Sequence, residues 1–197
     1  MGKIFYLMGK SSSGKDTLYK KILEDERVSL KTIVPYTTRP IREGEEEGVE
    51  YHFVTKEQLE EIQASGNVIE LRTYETCHGL WHYFTVDDGQ IDLSKEDYLI
   101  IGTLESYEKT RDYFGQKNVI AIMIELDDGL RLHRAIEREH KQEHPKYEEL
   151  CRRFLADSRD FSKDNLEKAK IRQIFYNHDL EQCKDAIVLY MKSHGGE

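Results

Sequence analysis

The chain has 197 residues, of which 38% are hydrophobic and 34% charged, and it carries a formal net charge of −9. That is enough chain for one compact domain with a sizeable core, and the acidic balance argues against a general nucleic-acid binder, because phosphate backbones select basic faces. No apolar run approaches the roughly 20 residues that span a bilayer, no signal-peptide pattern opens the chain, and the three cysteines, Cys77, Cys151 and Cys183, form neither a disulfide framework nor a zinc pattern. The expectation is a cytoplasmic protein with no membrane and no nucleic-acid partner.

In chain order, Lys3 to Met8 reads as a short buried strand, followed by the loop Gly9 to Gly14. Lys15 to Glu24 reads as a helix with Leu18 and Ile22 on one face. Leu30 to Val34 is the next strand, and the polar stretch Pro35 to Gly48 reads as surface loop. Thr55 to Gln58 has the spacing of a capping box, and Ser65-Gly66 closes the helix it starts. Val68 to Leu71, Trp81 to Val86 and Tyr98 to Ile101 are strand candidates, and Leu104 to Phe114 is helical. Val119 to Leu126 is a strongly apolar strand; Asp127 or Asp128 caps a helix reaching about Lys141. Lys146 to Lys170 reads as one charged helix, Ile171 to Tyr176 as the last strand and Leu180 to Lys192 as the last helix. Strands alternating with helices predict an α/β fold, three layers deep, around a mainly parallel sheet.

Between the first strand and helix lies Gly9-Lys10-Ser11-Ser12-Ser13-Gly14-Lys15-Asp16-Thr17. It fits G-x-x-x-x-G-K, the phosphate-cradling loop. Glycines let several backbone N–H groups face one anion, and the following helix adds its positive end. Gly9, Ser11, Ser12, Ser13, Gly14, Lys15, Asp16 and Thr17 are therefore expected at an ATP site, with Lys15 reaching the β- and γ-phosphates. The residue after the lysine is usually Ser or Thr, a Mg²⁺ ligand; here Asp16 stands there and Thr17 follows. A carboxylate is a good Mg²⁺ ligand, and it equally suits a helix N-terminus; the sequence leaves both roles open.

Tyr36-Thr37-Thr38-Arg39-Pro40-Ile41-Arg42-Glu43-Gly44-Glu45, followed by Gly48-Val49-Glu50-Tyr51-His52-Phe53-Val54, resembles the guanylate kinase family. With the phosphate loop and the order of elements, the likeness covers nearly the whole chain. It implies a single P-loop kinase domain over 1–197, with a core of about 1–34, 87–126 and 156–197, an acceptor-binding lobe of about 35–86 and a helical lid of about 127–155. It implies that Arg39, Arg42 and Tyr51 hold the acceptor phosphate, which suits arginine's paired N–H donors. Glu70, in Val68-Ile69-Glu70, resembles the glutamate that accepts guanine's N1–H and N2–H₂. Tyr83 and Thr85 match a tyrosine and a hydroxyl residue of the base pocket. Arg138 and Arg153 resemble the lid arginines that, with Lys15 and Arg39, serve catalysis. Tyr176-Asn177-His178-Asp179-Leu180 resembles the family's V-N-D-D-L, which implies Asn177 near the adenine of ATP. The substrates implied are ATP and GMP, with Mg²⁺ as cofactor; the oligomeric state is not implied.

The pattern breaks in places. Pro35 replaces a base-reading serine, Phe84 stands where a glycine is usual, and the D-x-D pair falls on Ile101 and Thr103. Thr103 retains a hydroxyl toward the base, and Asp16 offers a carboxylate that Ile101 lacks. The stretch Cys77 to His82 is longer than the family's common form, with Cys77, His78 and His82 expected as wall or loop residues, and Glu139 to Leu150 is longer too. Three functions are in view: phosphoryl transfer from ATP to GMP, a kinase of another phosphate ester such as ribose 1,5-bisphosphate (whose enzyme resembles this family and has a similar G-K-D loop), and a non-catalytic guanylate-kinase-like binding module. The intact Gly9, Gly14 and Lys15 weigh against the last.

Overall fold

A computed structural model describes residues 1–42, 44–76 and 79–195. In chain order the elements are β1 (Ile4–Gly9), α1 (Lys15–Leu23), β2 (Leu30–Thr32), β3 (Tyr36–Thr37), β4 (His52–Phe53), α2 (Lys56–Ala64), β5 (Val68–Thr76), β6 (Gly79–Val86), β7 (Asp97–Gly102), α3 (Leu104–Phe114), β8 (Val119–Glu125), α4 (Asp128–His140), α5 (Tyr147–Asp160), α6 (Lys163–Lys168), β9 (Ile174–Tyr176) and α7 (Leu180–His194). They build a five-stranded sheet, β2-β7-β1-β8-β9, and a four-stranded sheet, β4-β3-β6-β5.

Every pairing in the larger sheet is parallel. β1 lies at its centre, with Tyr6 beside Ile100 on one side and Ala121 on the other. All six β1 residues are buried, because helices cover both faces. Odd residues Phe5 and Leu7 pack with Leu18 and Ile22 of α1 and Ile187, Val188 and Met191 of α7. Even residues Ile4, Tyr6 and Met8 pack with Leu104 and Tyr107 of α3 and with Phe161 and Ala169. The period-2 alternation of a strand thus feeds two cores, giving the three layers expected. Each fully buried Leu or Ile adds about 1.5–3 kcal/mol relative to exposure.

The smaller sheet is mixed: β3 pairs parallel with β4 and antiparallel with β6, and β5–β6 is an antiparallel hairpin. Its own small core holds Leu59, Phe84 and Val86. Phe84 is fully buried and stacks on Tyr36 at 5.3 Å between ring centroids, so the aromatic in the usual glycine position is a packing residue here. The capping box at Thr55 and Gln58 is present in both directions.

Three expectations are revised. The loop expected over Pro35 to Gly48 contains β3, which uses its backbone to bridge β4 and β6. The strands expected at Val68 to Leu71 and Trp81 to Val86 extend to a long hairpin over Val68–Thr76 and Gly79–Val86. The helix expected from Lys146 to Lys170 breaks after Asp160, where Phe161 turns into the core and Asn165 Nδ2 donates to the carbonyls of Arg159 and Asp160. Among the described residues, no helix is long and apolar enough to cross a membrane.

Candidate functional site

The phosphate loop leaves β1 at Gly9 and ends where α1 begins. Gly14 stands at the helix N-cap with φ 88°, and a Cβ there would collide with Asn177 Nδ2. Glycine is needed for both reasons. Gly14 offers no side-chain cap, so the first N–H groups of α1 stay available to an anion. Ser12 has φ 62°, a left-handed conformation unusual outside glycine. The hydroxyls of Ser12 and Ser13 are buried with no hydrogen-bond partner. A buried hydroxyl without a partner is costly; phosphate oxygens would satisfy both.

The loop is clamped from behind and from the side. Asn177, buried after β9, donates Nδ2 to the Ser13 carbonyl at 2.8 Å, so it supports the loop as built. Arg131 of α4 is fully buried and donates Nε to the Ser11 carbonyl at 3.0 Å. Asp157 of α5 accepts the Ser11 N–H at 2.7 Å and lies 3.4 Å from Arg131 Nη2. Asp128 pairs with Arg131 Nη1, and the guanidinium sits 4.9 Å from the Phe154 ring centroid. No sequence signal points to Arg131, since buried and exposed arginines of one helix look alike in sequence; its neighbour Arg134 is exposed and reaches toward Gly14.

Arg138 and Arg153 are exposed and line one cleft of about 760 Å³ together with Ser11, Ser12 and Arg42. Three separate parts of the chain thus bring cations to the mouth of the phosphate loop. Lys15 is largely buried, with Nζ 3.8 Å from Asp16 Oδ2. Asp16 and Thr17 are exposed at the start of α1. Among the described residues there is no cluster of three or more His, Cys, Asp or Glu that would form a protein cage for a metal. A single exposed carboxylate beside a phosphate loop fits Mg²⁺, which keeps waters and phosphate oxygens as its other ligands.

Arg39 is 4% exposed after β3. It forks onto Glu45, with Nη1 to Oε2 at 2.7 Å and Nη2 to Oε1 at 2.6 Å, and its Nε has no partner. Burial works to lower its pKa, and Glu45 together with Tyr83 and Tyr51 raises it above the ordinary arginine value. Its carbon Cζ lies 5.0 Å from the Tyr51 ring centroid. Tyr51 in turn meets Tyr83 edge-on at 5.7 Å, and burial raises the pKa of the Tyr51 hydroxyl. Arg42 is exposed, 6.0 Å from the Trp81 ring centroid. Arg39, Tyr51 and Tyr83 therefore form one wall, and the Arg42 backbone N–H joins the Arg39 fork on Glu45, where a phosphate would suit the guanidinium.

Glu70, Thr85 and Thr103 meet deeper in. Glu70 is 3% exposed, and Thr85 donates its hydroxyl to Glu70 Oε1 at 2.9 Å. Arg72, unmarked by any motif, forks onto Glu70 and reaches Thr103 Oγ1 at 3.3 Å. Thr103 also caps α3 through the Ser106 N–H. Tyr6 underlies this corner, donating to Ser106 Oγ at 2.6 Å, with burial raising its pKa. Cys77 and His78 lie outside the described residues; His82 of β6 accepts from or donates to Thr73 Oγ1 at 2.9 Å.

The resemblance read from Thr37 to Val54 is borne out. The sequence pattern of the guanylate kinase family matches residues 1–79. Guanylate kinase from Neisseria gonorrhoeae is 38% identical over 100 residues, 51% of this chain and 46% of that protein. The Neisseria meningitidis serogroup A enzyme is 44% identical over 100 residues, with the same coverage. The chain thus spans under half the length of these curated relatives in the match. A crystal structure of guanylate kinase from Anaplasma phagocytophilum superposes with a TM-score of 0.67 at 23% identity, covering 100% of this chain and 87% of that one. The fold is therefore that of a guanylate kinase, mostly parallel in its central sheet as expected.

Proposed function

We propose that this chain, guanylate-kinase-like over residues 1–79 and in its fold, transfers the γ-phosphoryl group of ATP to GMP, giving ADP and GDP. The observation that carries the reading is the pair of buried, unpartnered Ser12 and Ser13 hydroxyls in a loop faced across one cleft by Arg42, Arg138 and Arg153. Such a site has hydrogen-bond donors for phosphate on one side and exposed cations on the other, the requirement of phosphoryl transfer between two phosphates.

In this account the loop N–H groups and Lys15 hold the β- and γ-phosphates of ATP. The acceptor phosphate takes the Arg39 fork, displacing Glu45, and Tyr51 adds a hydroxyl donor. A GMP phosphate oxygen attacks the γ-phosphorus, the bond to the ADP oxygen breaks, and ADP leaves with the electron pair. Arg138 and Arg153 meet charge on the transferring group and help exclude water as the α4–α5 lid closes. Asp16 and Thr17 are the residues that would hold Mg²⁺, which would supply positive charge to the transferring phosphates.

A second reading, a sugar-phosphate acceptor such as ribose 1,5-bisphosphate, is favoured by one observation: Arg72 lies on Glu70 and offsets the charge of the carboxylate expected to read a base. Assaying ADP release with GMP and with ribose 1,5-bisphosphate separates them. GDP formation supports the first; turnover of the sugar phosphate without GDP formation overturns it.

A further inference from the structure

The two arginines that follow β3 are held in different ways. Arg39 commits its guanidinium to its own loop: Nη1 donates to the Pro40 carbonyl and to Glu45, and Nη2 donates to Glu45. Arg42 has its backbone in a turn with Glu45, whose Oε2 accepts the Arg42 N–H at 2.9 Å and whose N–H donates to the Arg42 carbonyl at 3.1 Å. The Arg42 guanidinium leaves that turn and makes no hydrogen bond or ion pair among the described residues. It lies 6.0 Å from the ring centroid of half-buried Trp81 on β6. Arg42 and Trp81 both line the cleft of about 760 Å³, with Ser11, Ser12, Arg138 and Arg153. The strand that carries Trp81 is pinned to the arginine loop: the Thr38 N–H donates to the His82 carbonyl at 3.0 Å, and the His82 N–H donates to Thr38 Oγ1 at 3.0 Å.

A carboxylate holds an arginine by using its N–H donors, as Glu45 does with Arg39. An aromatic ring attracts the same cation through its face and leaves those donors unused. We propose that Trp81 is the positioning residue for Arg42: its ring holds the guanidinium over the cleft with all five N–H donors left for a phosphate. The inference deepens the kinase reading, on which the role of Arg42 toward the acceptor phosphate rests. Trp81 acts through Arg42 and is not itself a contact of the acceptor, so its effect should vanish when Arg42 is removed.

Trp81 is the only tryptophan of the chain, so its fluorescence reports on the contact directly. Arg42→Ala, a change at an exposed position, should alter the Trp81 emission of the protein alone. Steady-state transfer from ATP to GMP is then measured for wild type, Trp81→Leu, Trp81→Phe, Arg42→Ala and the Trp81→Leu/Arg42→Ala double variant, with melting curves confirming each fold. A solvent-facing cation–π contact predicts that Trp81→Leu raises the GMP KM about 2- to 5-fold and leaves kcat and the ATP KM nearly unchanged. Trp81→Phe keeps an aromatic face and should fall between wild type and Trp81→Leu. In the Arg42→Ala background, Trp81→Leu should add nothing measurable, because no guanidinium is left to position. An unchanged Trp81 emission in Arg42→Ala overturns the proposal, even where a Trp81 variant fails to fold. So does an unchanged GMP KM in folded Trp81→Leu, or a rise of the same size with Arg42 absent, which would make Trp81 a direct contact of the acceptor. Wild type that phosphorylates ribose 1,5-bisphosphate and not GMP overturns the GMP reading alone, and the same cycle read on the sugar phosphate decides for Trp81. Wild type that phosphorylates neither removes the kinase reading and this inference with it.

Discussion

Arg131 and Arg138 sit on the same helix, two turns apart, and should fail in opposite ways when changed to alanine. Arg131 is fully buried and ties four groups together: the Ser11 carbonyl, Asp128, Asp157 and the Phe154 ring. Breaking a fully buried ion pair costs about 3–5 kcal/mol. Here the Asp128 side chain is 54% exposed and can be rehydrated, and Asp157 keeps the Ser11 N–H, so the lower part of the range applies. The Ser11 carbonyl loses its arginine donor and a cavity replaces the side chain, giving a loss of roughly 2–4 kcal/mol. For a domain of this size each kcal/mol moves Tm by about 2–4 °C, so Arg131→Ala should melt about 4–16 °C below wild type. Arg138 is exposed in the cleft, and Arg138→Ala should shift stability by no more than about 0.5 kcal/mol while lowering kcat more than it raises the acceptor KM. Thermal and urea unfolding of the two variants, beside kinetics of the folded fraction, checks both halves. An Arg131→Ala protein that melts within 1 °C or so of wild type would refute the clamp argument. So would an Arg138→Ala protein that loses stability and keeps its kcat.

Three further outcomes are expected. Lys15→Ala should nearly abolish phosphoryl transfer without lowering Tm, because Lys15 serves a phosphate loop rather than a packed stripe; normal turnover would refute the loop's role. Asp16→Ala should raise the Mg²⁺ concentration for half-maximal rate, and an unchanged Mg²⁺ titration would leave Asp16 as a helix-start residue only. Arg39 holds the Glu45 carboxyl below its ordinary range, first through their hydrogen bond. A carboxyl depressed on folding stabilises fully above its unfolded value of about 4.3 and loses that contribution as pH falls through the lower folded value. Glu45→Gln should therefore be less stable than wild type at pH 7, with the gap closing toward acid, as urea titrations at several pH values would reveal; a gap independent of pH contradicts the pairing.

What could be read in advance was local. The phosphate loop follows from glycines and a lysine at fixed spacing between a strand and a helix, and the capping box of α2 from Thr55 and Gln58; neither needs knowledge of distant partners. Glu70, Thr85 and Thr103 were expected in one pocket by resemblance, and hydrogen bonds link all three directly or through Arg72. The misses were non-local. Phe161 ends α5 by entering a core made by residues from β1 to Ile171, with no proline or glycine to announce the turn. β3 and β4 are only two residues each; β3 joins the sheet by pairing Tyr36 with Phe84 and Thr37 with Tyr83 of β6, far along the chain, and β4 pairs only with β3. Arg72 and Arg131 look like the chain's solvated arginines until Thr103 and Asp157 are brought beside them.

The central claim is transfer of phosphoryl from ATP to GMP, and ³¹P NMR of the purified chain with ATP, GMP and Mg²⁺ tests it most directly. The account predicts that GDP and ADP appear in equal amounts, only when both substrates are present, and that Lys15→Ala yields neither. ATP hydrolysed without GDP, or both nucleotides left unchanged while ribose 1,5-bisphosphate is phosphorylated, would contradict it.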